Sequence, residues 1–175
     1  FLAKMGKRVA VIYSDSEGGQ AYIDEIWRKS QQGVVEIASI YRYEKNNRDY
    51  RDTVSKILGL QFKRERQEEF EFLKEIYDAE SKLKRSSIRR IQTLKPIIDF
   101  DWVFVPAYPQ DAIQIIPVFS YFAAKKIKFI GGPSWMSRSL IKEYKNLGQM
   151  YFVGDDPNDF NDDFAKSFKE RNKKN

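Results

Sequence analysis

Apolar residues in this chain fall into short continuous runs, separated by segments in which they recur at intervals of three and four. The densest run, Trp102-Val103-Phe104-Val105, is closed by Pro106 and reads as a short strand buried on both faces. Behind it the spacing of Ile115, Ile116, Phe119 and Phe122 predicts a helix, with Asp111 placed to cap its start, and residues 127–132 predict the next strand. Strand, helix and strand in that order make a parallel pair.

The same alternation runs through the rest of the chain. Residues 8–13 predict a first strand, 14–20 a polar glycine-bearing turn, and 21–29 a helix that ends at Gly33. Residues 34–41 predict a second strand with enough alternation for an edge or near-edge position, followed by a helix over 50–58. Towards the end, Ser137 caps a helix running to Asn146 and residues 149–154 predict a fifth strand. Phe160, Phe164 and Phe168, each four apart, give a last helix its apolar stripe. Residues 1–5, closed by Gly6, read as the final turn of a helix, so a lobe belonging to a longer protein is expected.

Five strands alternating with helices, joined by right-handed crossovers, predict an α/β, doubly wound, mainly parallel flavodoxin-like sheet in the order 2-1-3-4-5 over residues 1–175. Its crevice lies between the first and third strands, faced by the loops 14–20 and 107–111 with 132–135 beside them. Residues 62–92 interrupt the alternation as a charged helical insertion. A narrow stripe of Phe70, Leu73, Ile76, Tyr77 and Leu83 either folds back on its own domain or receives a partner helix.

Composition narrows the function. A chain of 175 residues with 42% hydrophobic and 15% aromatic content is large enough for a packed core. The net charge of +6 does not form a nucleic-acid footprint, because basic and acidic residues interleave everywhere except over 166–174. The sequence has no cysteine and no histidine, which excludes thiol nucleophiles, imidazole or thiolate metal sites and every Ser-His or Cys-His arrangement. No apolar run approaches the roughly 20 residues of a membrane-spanning helix. The turn 14–20 opens a helix as an anion-binding loop does, but carries neither GxGxxG nor GxxxxGK[ST], and no cofactor is called for. Asp15 and Asp111 can be read as a magnesium-binding pair of a phosphotransfer domain or as local caps. Tyr108 and Trp135 can flank a flavin ring. Trp135, at a strand's carboxyl end, can alternatively stack on another ligand, line an interface or pack on its own helix.

Four pieces carry a family resemblance: Lys7 to Asp15 (KRVAVIYSD), Ile98 to Pro106 (IDFDWVFVP), Phe129 to Trp135 (FIGGPSW) and Met150 to Val153 (MYFV). Together they resemble the second lobe of type I periplasmic ligand-binding proteins, in the branch of branched-chain amino-acid receptor-like proteins and penicillin-binding-protein activators. The likeness lapses over about 62–92. It implies a non-catalytic, extracytoplasmic two-lobed clamp that holds a small polar, amino-acid-like ligand between this lobe and a first lobe. Ligand-facing groups would be Ser14, Asp15, Gly18 and Gln20 after the first strand, Ala107 and Tyr108 after the third, and Ser134 and Trp135 after the fourth. Where the family's binders usually carry an aromatic before the first helix's glycine, this chain has Glu17. The activator branch implies the alternative of a protein-interaction module docking on a cell-wall synthase, a cell-envelope partner.

Overall fold

The computed structural model describes residues 6–44, 46–83 and 94–153, with the side chains of 77–83 and 144 outside that description. The helix end expected over 1–5, the remainder of the insertion over 84–92 and the last helix with Phe160, Phe164 and Phe168 fall outside the described residues.

Five strands form one all-parallel sheet in the order β2-β1-β3-β4-β5, as the alternation predicts. They are β1 (Arg8–Ser14), β2 (Glu36–Tyr43), β3 (Trp102–Val105), β4 (Lys128–Gly131) and β5 (Gln149–Phe152). The helices are α1 (Glu17–Gln31), α2 (Arg51–Ile57), α3 (Gln67–Leu83), α4 (Pro109–Tyr121) and α5 (Arg138–Leu147). β3 is central: Val9 of β1 lies opposite Trp102, and Val103 lies opposite Phe129 of β4.

Because successive strand residues point to opposite faces, each strand feeds two cores. Ala10, Ile12, Val103, Val105 and Phe129 pack against Val54 and Ile57 of α2, Ile115, Ile116 and Phe119 of α4, and Leu140 and Leu147 of α5. Val9, Val11, Trp102 and Ile130 turn the other way, towards Ile23 of α1. With both faces used, the sheet's ligand-accessible region is its carboxyl edge.

Two expectations need correction. Asp111 does not cap α4: the helix begins two residues earlier, at Pro109, whose fixed φ suits a first helical position, and Tyr108 precedes it without a side-chain cap. Asp111 therefore sits inside the first turn, where its carboxylate accepts hydrogen bonds from the Tyr43 and Tyr50 hydroxyls, each at 3.1 Å. The stripe expected on the insertion turns inward only in part, since Leu73 is buried and Phe70 half-buried while Ile76 is exposed. Ser137 does cap α5, accepting from the Leu140 N–H at 3.3 Å.

Candidate functional site

The crevice is built at the end of β1. Ser14 closes the strand, and Ser16, extended at φ −152° and ψ 158°, caps α1 by accepting from the Gly19 N–H at 3.1 Å. The Ser14 and Ser16 hydroxyls lie 2.8 Å apart, so the two serines hold each other in place. The Asp15 N–H donates to the Tyr43 carbonyl at 2.8 Å, which ties this turn to the end of β2. Gly19 packs so tightly on the strand end that a Cβ there would overlap the Ser14 carbonyl oxygen, whereas a Cβ on Gly18 would meet nothing within 4 Å. The two adjacent glycines thus do different work: Gly19 lets α1 approach β1, and Gly18 leaves the mouth of the crevice open.

The opposite wall comes from the ends of β3 and β4. The Ala107 carbonyl accepts from the Ser134 hydroxyl and from the Trp135 indole N–H, both at 3.2 Å, which joins the two loops. Both lone pairs of that carbonyl are engaged, so Ala107 positions the wall, while the Ser134 oxygen keeps its own acceptor capacity. Tyr108 stands at the rim with 69% of its surface exposed. The carboxyl ends of β1, β3 and β4 enclose a depression of about 200 Å³, lined by Ser14, Gly18, Ala107, Tyr108 and Ser134 from the sequence-derived set. A neighbouring depression of about 550 Å³ shares Ser14, Gly18 and Tyr108 and adds Asp15.

Two sequence-derived site residues lie elsewhere. Gln20 points along α1, donating to the Asp24 carboxylate at 3.0 Å, and lines neither depression. Trp135 is 1% exposed, and its ring covers Gly131 so closely that a Cβ on that glycine would fall inside the indole. Trp135 is thus a core residue, packed with the side chains of α4 and α5 on one face of the sheet. Ser16, Gly19, Gly132, Glu17, Gln110 and Asp111 line the depressions from the loops predicted to face them, while Tyr22 and Pro106 in the smaller and Asn46 in the larger lie outside those loops and were missed. Tyr22 was recoverable, lying four residues after Gly18 and hence on the same face of α1. Asn46 comes from the loop after β2, whose reach across the crevice no local pattern announces.

Two of the carboxylates that line the larger depression are engaged. Asp15 pairs with Arg42 at 3.4 Å, and Asp111 holds the two tyrosines. Burial, reinforced by the Asp111 charge, pushes both the Tyr43 and Tyr50 phenols well above the usual tyrosine range, which keeps them protonated donors. Among the described residues no group of three or more acidic side chains is placed to hold a metal ion. Among the same residues no helix is long and apolar enough to cross a membrane.

The glycines give a direct check on this geometry. Gly18→Ala is expected to leave the melting temperature unchanged or raise it, since alanine favours a helix over glycine by up to about 1 kcal/mol. Gly19→Ala is expected to lower it clearly, because the added methyl collides with backbone. Equal melting temperatures for the two variants would show that α1 does not sit on β1 as described.

No protein-family model matches the chain, and no curated protein does. Solved structures similar to it include a substrate-binding periplasmic protein from Ralstonia solanacearum, at 16% identity over 76% of this chain with a TM-score of 0.48. A fatty acid ABC transporter substrate-binding protein from Thermomonospora curvata is similar at 13% identity over 81%, with a TM-score of 0.46. A solute-binding protein of an ABC transporter from Rhodopseudomonas palustris, in complex with 3,4-dihydroxybenzoic acid, is similar at 20% identity over 77%, with a TM-score of 0.44. The chain spans about a quarter of each, covering 27%, 28% and 27% of their lengths.

Proposed function

We propose that this chain is a non-catalytic ligand-binding lobe of an extracytoplasmic solute-binding protein, holding a small polar, amino-acid-like ligand at the carboxyl ends of β1, β3 and β4. The observation that carries the reading is the half-open depression at the sheet's switch point, where Ser14, Ser134, Gly18 and the exposed Tyr108 ring face one space. The depression offers hydroxyl oxygens, an aromatic face and the N–H groups at the start of α1 ahead of the capped Gly19, which helix geometry leaves without intrahelical acceptors. These groups recognise a small polar molecule and supply no nucleophile–base pair. At about 200 Å³ the depression is smaller than an ordinary complete ligand pocket of roughly 300–1,000 Å³. A second lobe closing over it would supply the remainder, and a ligand touching both lobes would stabilise the closed state.

The test is a thermal-shift screen against amino acids, small peptides, sugars and cell-wall fragments, since a ligand that binds only the folded state raises its melting temperature. A ligand found in this way is expected to lose at least about tenfold in affinity, or 1.4 kcal/mol, in Tyr108→Ala and in Ser134→Ala. Both variants are expected to stay folded, Tyr108 because it is exposed and Ser134 because it lies at the loop surface. Unchanged affinity in both would remove the site assignment.

A further inference from the structure

Tyr22 stands in the wall of the smaller depression with a hydroxyl that the fold does not use. Packing fixes its ring, which meets the half-buried Phe104 ring of β3 edge to face, with centroids 5.8 Å apart and planes at 71°. The hydroxyl reaches on to the turn after β4, where a Cβ on Gly132 would lie 2.9 Å from the phenol oxygen. No hydrogen bond joins that oxygen to any described residue, and at 39% exposure the side chain is open to a ligand. The serine hydroxyls beside it are bonded within the protein. Ser14 and Ser16 hold each other, Ser16 also accepts from the Gly19 N–H, and Ser134 donates to the Ala107 carbonyl. Tyr22 can donate to a ligand without giving up a protein acceptor.

The chemistry around it selects what that acceptor is. No charged side chain lines the smaller depression, whereas Asp15, Glu17 and Asp111 line the larger one beside it. A ligand carboxylate next to Tyr22 would leave water for a site with no lysine or arginine in its wall and carboxylates close by, which is costly. The start of α1 does not offset this, because Glu17 in its first turn already meets the positive end of the helix dipole. An aliphatic end fails differently: it would displace water from the Tyr22 hydroxyl and return no acceptor. An uncharged oxygen meets both conditions.

We propose that Tyr22 is a specificity-determining residue of the crevice, donating its phenol hydrogen to an uncharged acceptor oxygen, of an amide or a hydroxyl, on the end of the ligand that lies over Gly132. The inference rests on the crevice being the ligand site, and adds which end of the ligand is read and by which group. Gly132 serves the same contact. Its φ of −80° and ψ of −176° are open to any residue, so a side chain there is opposed by the nearby phenol rather than by backbone strain.

The experiment uses L-asparagine, L-leucine and L-aspartate, whose side chains share one branched outline and end in an amide, in methyl groups and in a carboxylate. Titration into the isotope-labelled full chain, followed through the crevice amide resonances, gives dissociation constants even for the weak binding expected of one lobe. Asparagine is expected to bind at least about tenfold more tightly than leucine or aspartate. Tyr22→Phe keeps the ring and its contact with Phe104, and is expected to leave the melting temperature unchanged. It is expected to weaken asparagine about three- to tenfold, the worth of one neutral hydrogen bond, and not to weaken leucine. Gly132→Ala is expected to weaken asparagine as well, by displacing the hydroxyl. An asparagine affinity untouched by Tyr22→Phe, equal binding of the three probes, or a melting temperature lowered by Tyr22→Phe would each overturn the proposal. So would silence of all three while another compound of the thermal-shift panel binds and is weakened by Tyr108→Ala, an outcome that leaves the crevice reading standing. Silence of the whole panel would overturn both.

Discussion

Trp135→Ala is expected to destabilise the protein by about 3–5 kcal/mol, the range for truncating a fully buried aromatic. Domains have only about 5–15 kcal/mol in total, so a large fraction of the molecules would unfold under mild denaturant. The effect has three parts. The ring is 1% exposed and belongs to the core formed with α4 and α5. Its removal leaves a void above Gly131, whose missing side chain is what lets the indole sit there. It also withdraws one of the two donors that hold the Ala107 carbonyl, and with it part of the link between the β3 and β4 loops. Gly131→Ala reaches the same contact from the other side, and is expected to destabilise by collision rather than by cavity. Chemical denaturation of both variants is the measurement. A Trp135→Ala protein as stable as the original would show that the indole is not a core group.

Asp111→Ala is expected to cost about 3–6 kcal/mol, because hydrogen bonds to a charged acceptor contribute roughly 1.5–3 kcal/mol each and this carboxylate accepts two. Tyr43 and Tyr50 are 3% and 2% exposed, and removing Asp111 withdraws the one acceptor that their hydroxyls share. The same cluster fixes a pH dependence. Burial first, and the Asp111 charge second, raise both phenol pKa values in the folded protein. A group whose folded pKa is raised contributes stability that is complete below its unfolded pKa, about 10 for tyrosine, and lost as pH rises towards the folded value. Stability is therefore expected to fall above about pH 10. The fall is expected to be shallower in a protein carrying Tyr43→Phe and Tyr50→Phe, although that variant starts lower at neutral pH. Parallel alkaline limbs for the two proteins would show that these tyrosines ionise as freely in the folded state as in the unfolded one.

The sheet was legible in the sequence because a buried parallel strand is an unbroken apolar run and a crossover helix a three-four pattern. Trp102 to Val105 and Ser137 marked their elements without ambiguity, and the strand order followed from handedness. The crevice was legible as a place, because its loops are fixed by the topology; Ser14, Gly18, Tyr108 and Ser134 line one depression for that reason. Side-chain direction was not legible. Trp135 and Tyr108 are both aromatics just past a strand, yet one is buried and the other 69% exposed. The difference depends on Gly131 making room for a ring, a contact four residues back along the chain. Asp111 reads as a helix cap in one dimension, and only the packing of β2 and α2 brings two phenols to it. On α3 the stripe read from the sequence divides only in the fold, where Leu73 is buried and Ile76 exposed.

The central claim, that the carboxyl ends of β1, β3 and β4 hold a small ligand, is tested most directly by titrating the strongest ligand from the thermal-shift screen into isotope-labelled protein and following the backbone amide resonances. Binding at the crevice is expected to move the signals of residues 14–19, 107–110 and 132–134, with Gly18 and Tyr108 among the largest shifts. Shifts gathered instead around Ile141 and Phe152, which line a separate apolar depression of about 190 Å³ beside α5, would contradict the assignment. So would a saturating ligand that leaves the crevice signals in place.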